Sequence, residues 1–272
     1  MKPFRSLSWG CGLQSTLLGE LSARGEIDPL NLIIHADLGW ERQKTLDIRD
    51  FYADRWRKMG MRVEVLRTGN IRTQGADEHI HIPFYTDSGA PIRRQCSRYF
   101  KINPVKRRLR EILGFDPSNA PHPRPGAIEQ WLGFTVDEWT RAKPSRVKFI
   151  THRWPLLEMK LDRQDCKRWF EDHDLPVPIK SACIGCPFRL ASEWLDMRTN
   201  APGEWAQAIA FDEANRNNPL ALKGSTADEL YIYKAPRTAL QDADLEGDAK
   251  RERRKYGTQL PMFGCGTGYC GT

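Results

Sequence analysis

Cys183-Ile184-Gly185-Cys186 sets two thiols with two residues between them, close enough to chelate one metal ion or to close a redox disulfide. Two more cysteines, Cys265 and Cys270, stand in a Gly and Cys-rich tail, and Cys96 makes a fifth candidate for a site that needs three or four. Four thiolates suit tetrahedral zinc or an iron–sulfur cluster equally, and the spacing does not separate them. Cys11 and Cys166 read as packed small hydrophobes. The six histidines form no metal motif, His79 and His81 being surface side chains. A second segment, Ser8-Trp9-Gly10-Cys11-Gly12-Leu13-Gln14-Ser15, lies between a strand pattern and a helix pattern. There backbone N–H groups and a helix N-terminus form an anion cradle, or else the serines simply cap a tight turn. It lacks the Lys-Ser/Thr ending of a Walker A loop and is not a GxGxxG fingerprint.

The elements that must position these groups alternate. Phe4 to Leu7 reads as a strand, Gln14 to Ala23 as a helix, and Leu30 to Ala36 as a near-continuous apolar strand of the kind covered on both faces. Gln43 to Met59 reads as an amphipathic helix and Arg62 to Leu66 as a third strand. This βαβαβ order predicts an α/β fold with a doubly wound, mainly parallel sheet and its ligand crevice at the strand carboxyl ends. Thr68 to Pro91 reads as a long surface excursion, Asn103 to Leu113 as a basic helix, and the proline-rich Phe115 to Gly126 as a loop. Ala127 to Phe134 and Arg146 to Ile150 are strand candidates. Helices are expected over Arg163 to His173, Ala191 to Arg198 and Gly203 to Asn215. Residues 1–190 are expected to form one α/β domain, and 191–272 a helical region with the basic run Asp248 to Lys255 and the tail.

Further along, Asp37, Gly39 and Glu41 follow the second strand, where an acid and a glycine suit a ribose or adenine edge, or merely cap the next helix. Arg93, Arg94 and Lys101 could contact phosphate or sulfate, or form a solvated face. These blocks together resemble the phosphoadenylyl sulfate (PAPS) reductase family of the adenine nucleotide alpha hydrolase (PP-loop) superfamily. The first loop resembles its SxxGxxS form; the superfamily's ATP pyrophosphatases carry an Asp where this chain has Gln14. His35 to Glu41 with Thr45 resembles "DTGxE…T", and Cys96 to Pro104 resembles "CCxxxKxxPL", with Ser97 in place of the second cysteine. Gly133-Phe134, Asp137 to Arg141, Trp154 to Leu157 and Arg163 resemble later blocks. The likeness runs from about Ser6 to Arg189.

The resemblance implies an adenosine nucleotide, ATP or PAPS, held by Ser8, Gly10, Gly12, Gln14, Ser15, Asp37, Gly39, Glu41, Arg94 and Lys101, with magnesium as an accompanying ion. It also favours a 4Fe-4S cluster over zinc on Cys96, Cys183, Cys186, Cys265 and Cys270. In the reductase reading a tail thiolate, Cys265 or Cys270, attacks the sulfur of adenylyl sulfate or PAPS, and a thioredoxin-like donor releases sulfite. The family's "ECGLH" tail is matched incompletely, since no acid precedes either cysteine and no histidine follows. The alternatives are ATP-dependent thiolation or other modification of tRNA or DNA, using a sulfur donor, and a non-catalytic nucleotide-sensing module.

Composition narrows the class. Over 272 residues, 42 Lys+Arg against 35 Asp+Glu leave +7, a mild bias toward anionic partners. Nine tryptophans, the KRRLR stretch from Lys106 to Arg110 and the KRERRK run would suit nucleic acid, or else are core residues and solvated helix faces. With 40% hydrophobic and 28% charged residues the chain is neither disordered nor membrane-like. No apolar run approaches the roughly 20 residues of a spanning helix. No apolar stretch backs Lys2 and Arg5, so the expectation is a cytoplasmic enzyme with reduced thiols, working as a homodimer or with a partner protein.

Overall fold

A computed structural model describes residues 2–77, 82–116, 118–223 and 225–256. The chain runs β1 (Phe4–Ser8), α1 (Leu13–Ala23), β2 (Leu32–Asp37), α2 (Gln43–Lys58), β3 (Val63–Arg67), α3 (Ile71–Asp77) and β4 (Tyr85–Thr86). A π-turn (Arg98–Ile102) leads into α4 (Asn103–Ile112), followed by β5 (Ile128–Trp131), a 3-10 turn (Val136–Arg141), β6 (Ile150–Arg153), α5 (Pro155–Glu158) and α6 (Arg163–Asp172). Then come α7 (Ala191–Asn200), α8 (Pro202–Asn215), α9 (Pro219–Leu222), β7 (Leu230–Tyr231) and α10 (Leu245–Tyr256).

Five strands form one parallel sheet in the order β3-β2-β1-β5-β6. The order reverses at β1, so the switch point of this doubly wound α/β fold lies between β1 and β5, as the sequence predicts. Leu32, Ile33 and Ile34 of β2 are buried to within 1%, because helices cover both faces. α1 is buried on every side from Leu13 to Ser22. Gly19 permits this: a β-carbon there would stand 2.3 Å from the Trp56 ring, so only glycine lets α2 lie against α1. The Trp56 indole and Arg55 both donate to the buried carboxylate of Glu20, at 2.8 and 2.9 Å. Both reach Oε1, while Oε2 faces Arg24 Nε at 3.5 Å, so two arginines offset the buried charge.

Two predicted segments are corrected. Thr68 to Pro91 is no mere surface excursion, because Ile71, Ile82 and Phe84 are at most 5% exposed and β4 pairs antiparallel with β7. Its polar residues hide an apolar anchor that packs with Trp194, Phe211 and Leu230 from beyond residue 190. The last strand runs Ile150–Arg153 rather than Arg146 to Ile150, since the register pairs Ile128 with Ile150 and Trp131 with Arg153. The basic run belongs to α10, where Glu252 turns inward and accepts from the Ala191 N–H at 3.1 Å. Arg253, Arg254 and Lys255 are exposed there, a solvated face. Among the described residues no helix is long and apolar enough to cross a membrane.

Candidate functional site

The loop leaving β1 is wholly buried from Ser8 to Ser15. Its hydroxyls close the turn on itself: Ser15 Oγ accepts from the Gly10 N–H at 3.2 Å and donates to Gly12 O at 3.2 Å, and Thr16 donates to Gly12 O at 2.9 Å. Cys11 sits at φ +58°, the left-handed conformation that lets the chain double back into α1. On the far side Gly133, just after β5, packs against the first turn of α1. Gln14 donates to Glu138 at 2.9 Å, while its Oε1 is buried with no hydrogen-bond partner among the described residues. Ser15 thus holds the turn, but no side chain caps α1, whose N-cap is Gly12. What remains for a guest here is the helix N-terminus and that carbonyl oxygen.

Beneath the loop, His35 Nδ1 lies 3.0 Å from Trp9 O, to which it donates, and 3.2 Å from Cys11 Sγ. Burial pushes the Cys11 thiol well up, with Glu41 adding to it, and pushes the His35 imidazole down. Both are neutral packing groups, as expected for Cys11. Because His35 titrates below its ordinary 6.5 in the folded chain, the unfolded chain binds more protons between the two values. Stability is therefore complete above about pH 6.5 and falls as pH drops toward the depressed value. Denaturant midpoints taken between about pH 7 and about pH 5 should decline more steeply for the wild type than for His35→Gln. Equal slopes would contradict a buried neutral imidazole.

The loop after β2 carries the next candidates. Asp37 accepts from the Gly39 N–H at 2.8 Å and pairs with Arg49 at 2.8 Å, so its carboxylate holds the turn. Gly39 has φ +70° and would place a β-carbon 2.8 Å from Gly69 O, a position only glycine fills. Glu41 differs from Asp37. Its side chain is fully buried, Oε2 accepts from Ser181 at 3.3 Å, and Oε1 faces Lys101 Nζ at 3.7 Å with no hydrogen-bond partner of its own among the described residues.

At this point the two halves of the candidate site meet. Glu41 forms an antiparallel bridge with Cys183, and the Ile184 N–H donates to Trp40 O at 3.1 Å. The backbone itself stitches the CxxC loop to the carboxyl end of β2. Between them opens a pocket lined by Cys96, Cys183 and Cys186 together with Arg94, Ser97 and Lys101, and by the apolar Leu38, Trp40, Ile71 and Ile82. Arg94 donates to Ser97 Oγ at 2.8 Å and lies over the Phe188 ring at 5.3 Å. The residues from Ser8 to Ser15 do not line this pocket. They adjoin it through Lys101 and Glu41, whose charges both act on Cys11.

Arg189 is missed by sequence reasoning, and no spacing signals it. Its guanidinium is 4% exposed and donates to Ala182 O at 2.8 Å, Cys183 O at 2.7 Å and Ile184 O at 3.3 Å, under the CxxC turn. Burial first, offset by Glu193 and the cysteines, leaves that cation below its ordinary pKa.

The donors are of the right kind for a thiolate-bound cluster, three thiols in an apolar pocket beside cations. Among the described residues, however, no three Cys, His, Asp or Glu side chains stand as a group able to hold a metal ion. Cys265 and Cys270 lie outside the described residues, as do His79 and His81. The described residues therefore do not complete a metal centre by themselves.

The fold and pocket define a doubly wound α/β protein with a thiol-lined, cation-flanked cavity at the carboxyl ends of its strands. No family model matches this chain, and no curated protein matches it. Among solved structures it is similar to the phosphoadenylyl-sulfate (PAPS) reductase from Candida auris in its phosphate complex. The identity is 12% and the TM-score 0.43, covering 65% of this chain and 76% of that one. Likeness of that degree concerns the chain path alone, and nothing about substrate or reaction follows from it.

Proposed function

We propose that this chain is a PAPS reductase-like enzyme, binding an adenosine nucleotide across the carboxyl ends of β1 and β2 and delivering its sulfur to cysteine thiolates. The observation that carries this reading is the convergence of Cys96, Cys183 and Cys186 with Arg94 and Lys101 on one pocket, stitched by Glu41 to the strand ends where such folds bind ligands. Lys101 and Arg94 would neutralise the sulfate or phosphate. The α1 N-terminus would face the remaining anionic oxygens, with magnesium joining if the nucleotide is ATP. Glu41 Oε1, buried and unbonded, would accept from a nucleotide hydroxyl or amine.

In this reading the Cys265 or Cys270 thiolate attacks the nucleotide's sulfur. The bond from that sulfur to the bridging phosphate oxygen breaks, and the adenosine phosphate departs with the electron pair. The resulting protein S-sulfonate is reduced by a dithiol donor of the thioredoxin type, which becomes a disulfide as sulfite leaves. Cys96, Cys183 and Cys186 with one tail cysteine would hold a 4Fe-4S cluster, zinc being the second choice, and the group would act electrostatically beside the bound sulfonucleotide. A second reading, ATP-dependent modification of tRNA or DNA, is favoured by the exposed rings of Trp139 and Tyr99.

Anaerobic incubation with ATP, adenylyl sulfate and PAPS in separate reactions tests the assignment. Sulfite is expected from a sulfonucleotide, with a brown chromophore near about 400 nm that Cys183→Ser abolishes. Pyrophosphate from ATP would select the second reading instead. A colourless protein holding stoichiometric zinc would exclude the cluster.

A further inference from the structure

Beyond the pocket, the π-turn, α4 and the segment leading into β6 carry a group of cations that no carboxylate answers. Arg98 on the π-turn, Lys106 on α4 and Arg146 before β6 come close enough that both arginines act on Lys106, which burial and their like charge hold below its ordinary pKa. None of the three forms an ion pair with a described residue. Three nearby cations are answered: Lys101 meets Glu41, Arg108 meets Glu64 and Glu111, and Arg141 meets Glu138. Lys106 is half-buried while both arginines are exposed, and like charges gathered in this way raise the local positive potential, which an external anion would relieve.

The surroundings narrow the anion. Ile102 at the end of the π-turn packs with Leu132 and Phe134, and with Ala142 from the facing 3-10 turn, so the two turns form one surface. Each carries an exposed ring. Trp139 is 68% exposed and Tyr99 51%, the two most exposed large apolar side chains among the described residues. The turn bearing Trp139 is tied down at both ends: the Ala142 N–H donates to Trp139 O at 3.0 Å, the Val136 N–H donates to Leu161 O at 3.0 Å, and Glu138 accepts from Gln14. Rigid exposed rings beside spread cations match successive phosphates with bases to stack better than they match one compact anion. Gln14 also links this surface to the first loop, so a ligand laid across it would end beside the nucleotide.

We infer that Arg98, Lys106 and Arg146, flanked by Trp139 and Tyr99, form a docking surface for the backbone of a single-stranded or looped-out nucleic acid. The inference draws on the second reading above only for the use to which the strand is put. Strand binding and reaction products are measured separately, so either can fail alone.

The test is fluorescence anisotropy of the full-length chain with labelled single-stranded RNA and DNA of about 20 nucleotides, titrated between about 50 and 200 mM salt. The triple variant Arg98→Gln, Lys106→Gln, Arg146→Gln should weaken binding at least about tenfold at low salt and flatten the log–log salt dependence by about 2. Trp139→Ala should weaken binding about tenfold with that slope unchanged. ATP and PAPS affinities, read by calorimetry, should stay within about twofold for both variants. The inference is overturned if the wild type binds neither oligonucleotide, or if either variant binds as tightly as wild type. Loss of ATP or PAPS affinity in the triple variant would equally overturn it, because the cations would then serve the small nucleotide.

Discussion

Asp212→Ala lowers the unfolding free energy by about 3–5 kcal/mol, the cost of breaking a buried charged network by removing one partner. Asp212 on α8 is 2% exposed. One oxygen accepts from the Ile232 N–H at 2.7 Å, the other from the Leu240 N–H at 3.0 Å and from Arg216 at 2.5 Å. Removing it strands two backbone donors and a guanidinium that lies 3.8 Å over the Tyr231 ring. For a chain of this size calorimetry should register a drop of roughly 6–20 °C in Tm. Asp212→Asn keeps one acceptor and should lose less. A change below about 2 °C for the alanine variant would mean that the carboxylate does not hold the C-terminal segments together.

Gly133→Val acts on the site. A β-carbon at 133 would stand 2.6 Å from Ser15 N and 2.9 Å from the Gln14 carbonyl carbon, both main-chain atoms that cannot swing aside as a side chain can. The first turn of α1 must then move away from β5, and with it the N–H groups that would face a nucleotide's phosphates. Overpacking of this kind costs about 1–3 kcal/mol of stability. ATP or PAPS affinity should fall about 100-fold or more, since near 2.7 kcal/mol of binding energy is at stake in the displaced donors. Gly203→Ala is the control: a β-carbon at that position of α8 meets nothing within 4 Å, so stability should hold or rise slightly and nucleotide affinity should not change. Undiminished affinity in Gly133→Val would remove the α1 N-terminus from the binding site.

The parallel sheet was legible because its signals are local. An apolar run such as Leu32 to Ala36 fits only a strand covered on both faces, and Gly39 at φ +70° marks a turn that only glycine makes without strain. Cys11 and Cys166 read correctly as core, both 0% exposed. Trp9, Trp40, Trp56, Trp131 and Trp194 are core as well, and Trp154, Trp169 and Trp205 are half-buried, which leaves Trp139 as the exposed tryptophan that can stack.

Long-range pairing left no such mark. The sheet register placed the last strand three residues beyond its most apolar stretch, and Ile71, Ile82 and Phe84 were masked by polar neighbours although they anchor the second hydrophobic cluster. Arg189 looked like any charged residue after a CxxC, yet its position under three carbonyls follows from the turn that Cys183 and Cys186 make. Asp37 and Glu41 looked alike as acids after a strand. Folding spent one on Arg49 and a turn, and left the other buried with an unbonded oxygen beside Lys101.

By itself, then, the order of residues determined a βαβαβ start, the glycine turns and a closely spaced pair of thiols, since each depends on side-chain periodicity or on conformations within a few residues. Only the tertiary structure decided which groups meet: that Cys96 joins Cys183 and Cys186, and that Glu41 lies against the thiol loop. Residues dozens of positions apart are brought together by the sheet crossovers and by the bridge from Glu41 to Cys183, contacts whose free energy belongs to the packed whole rather than to any single segment.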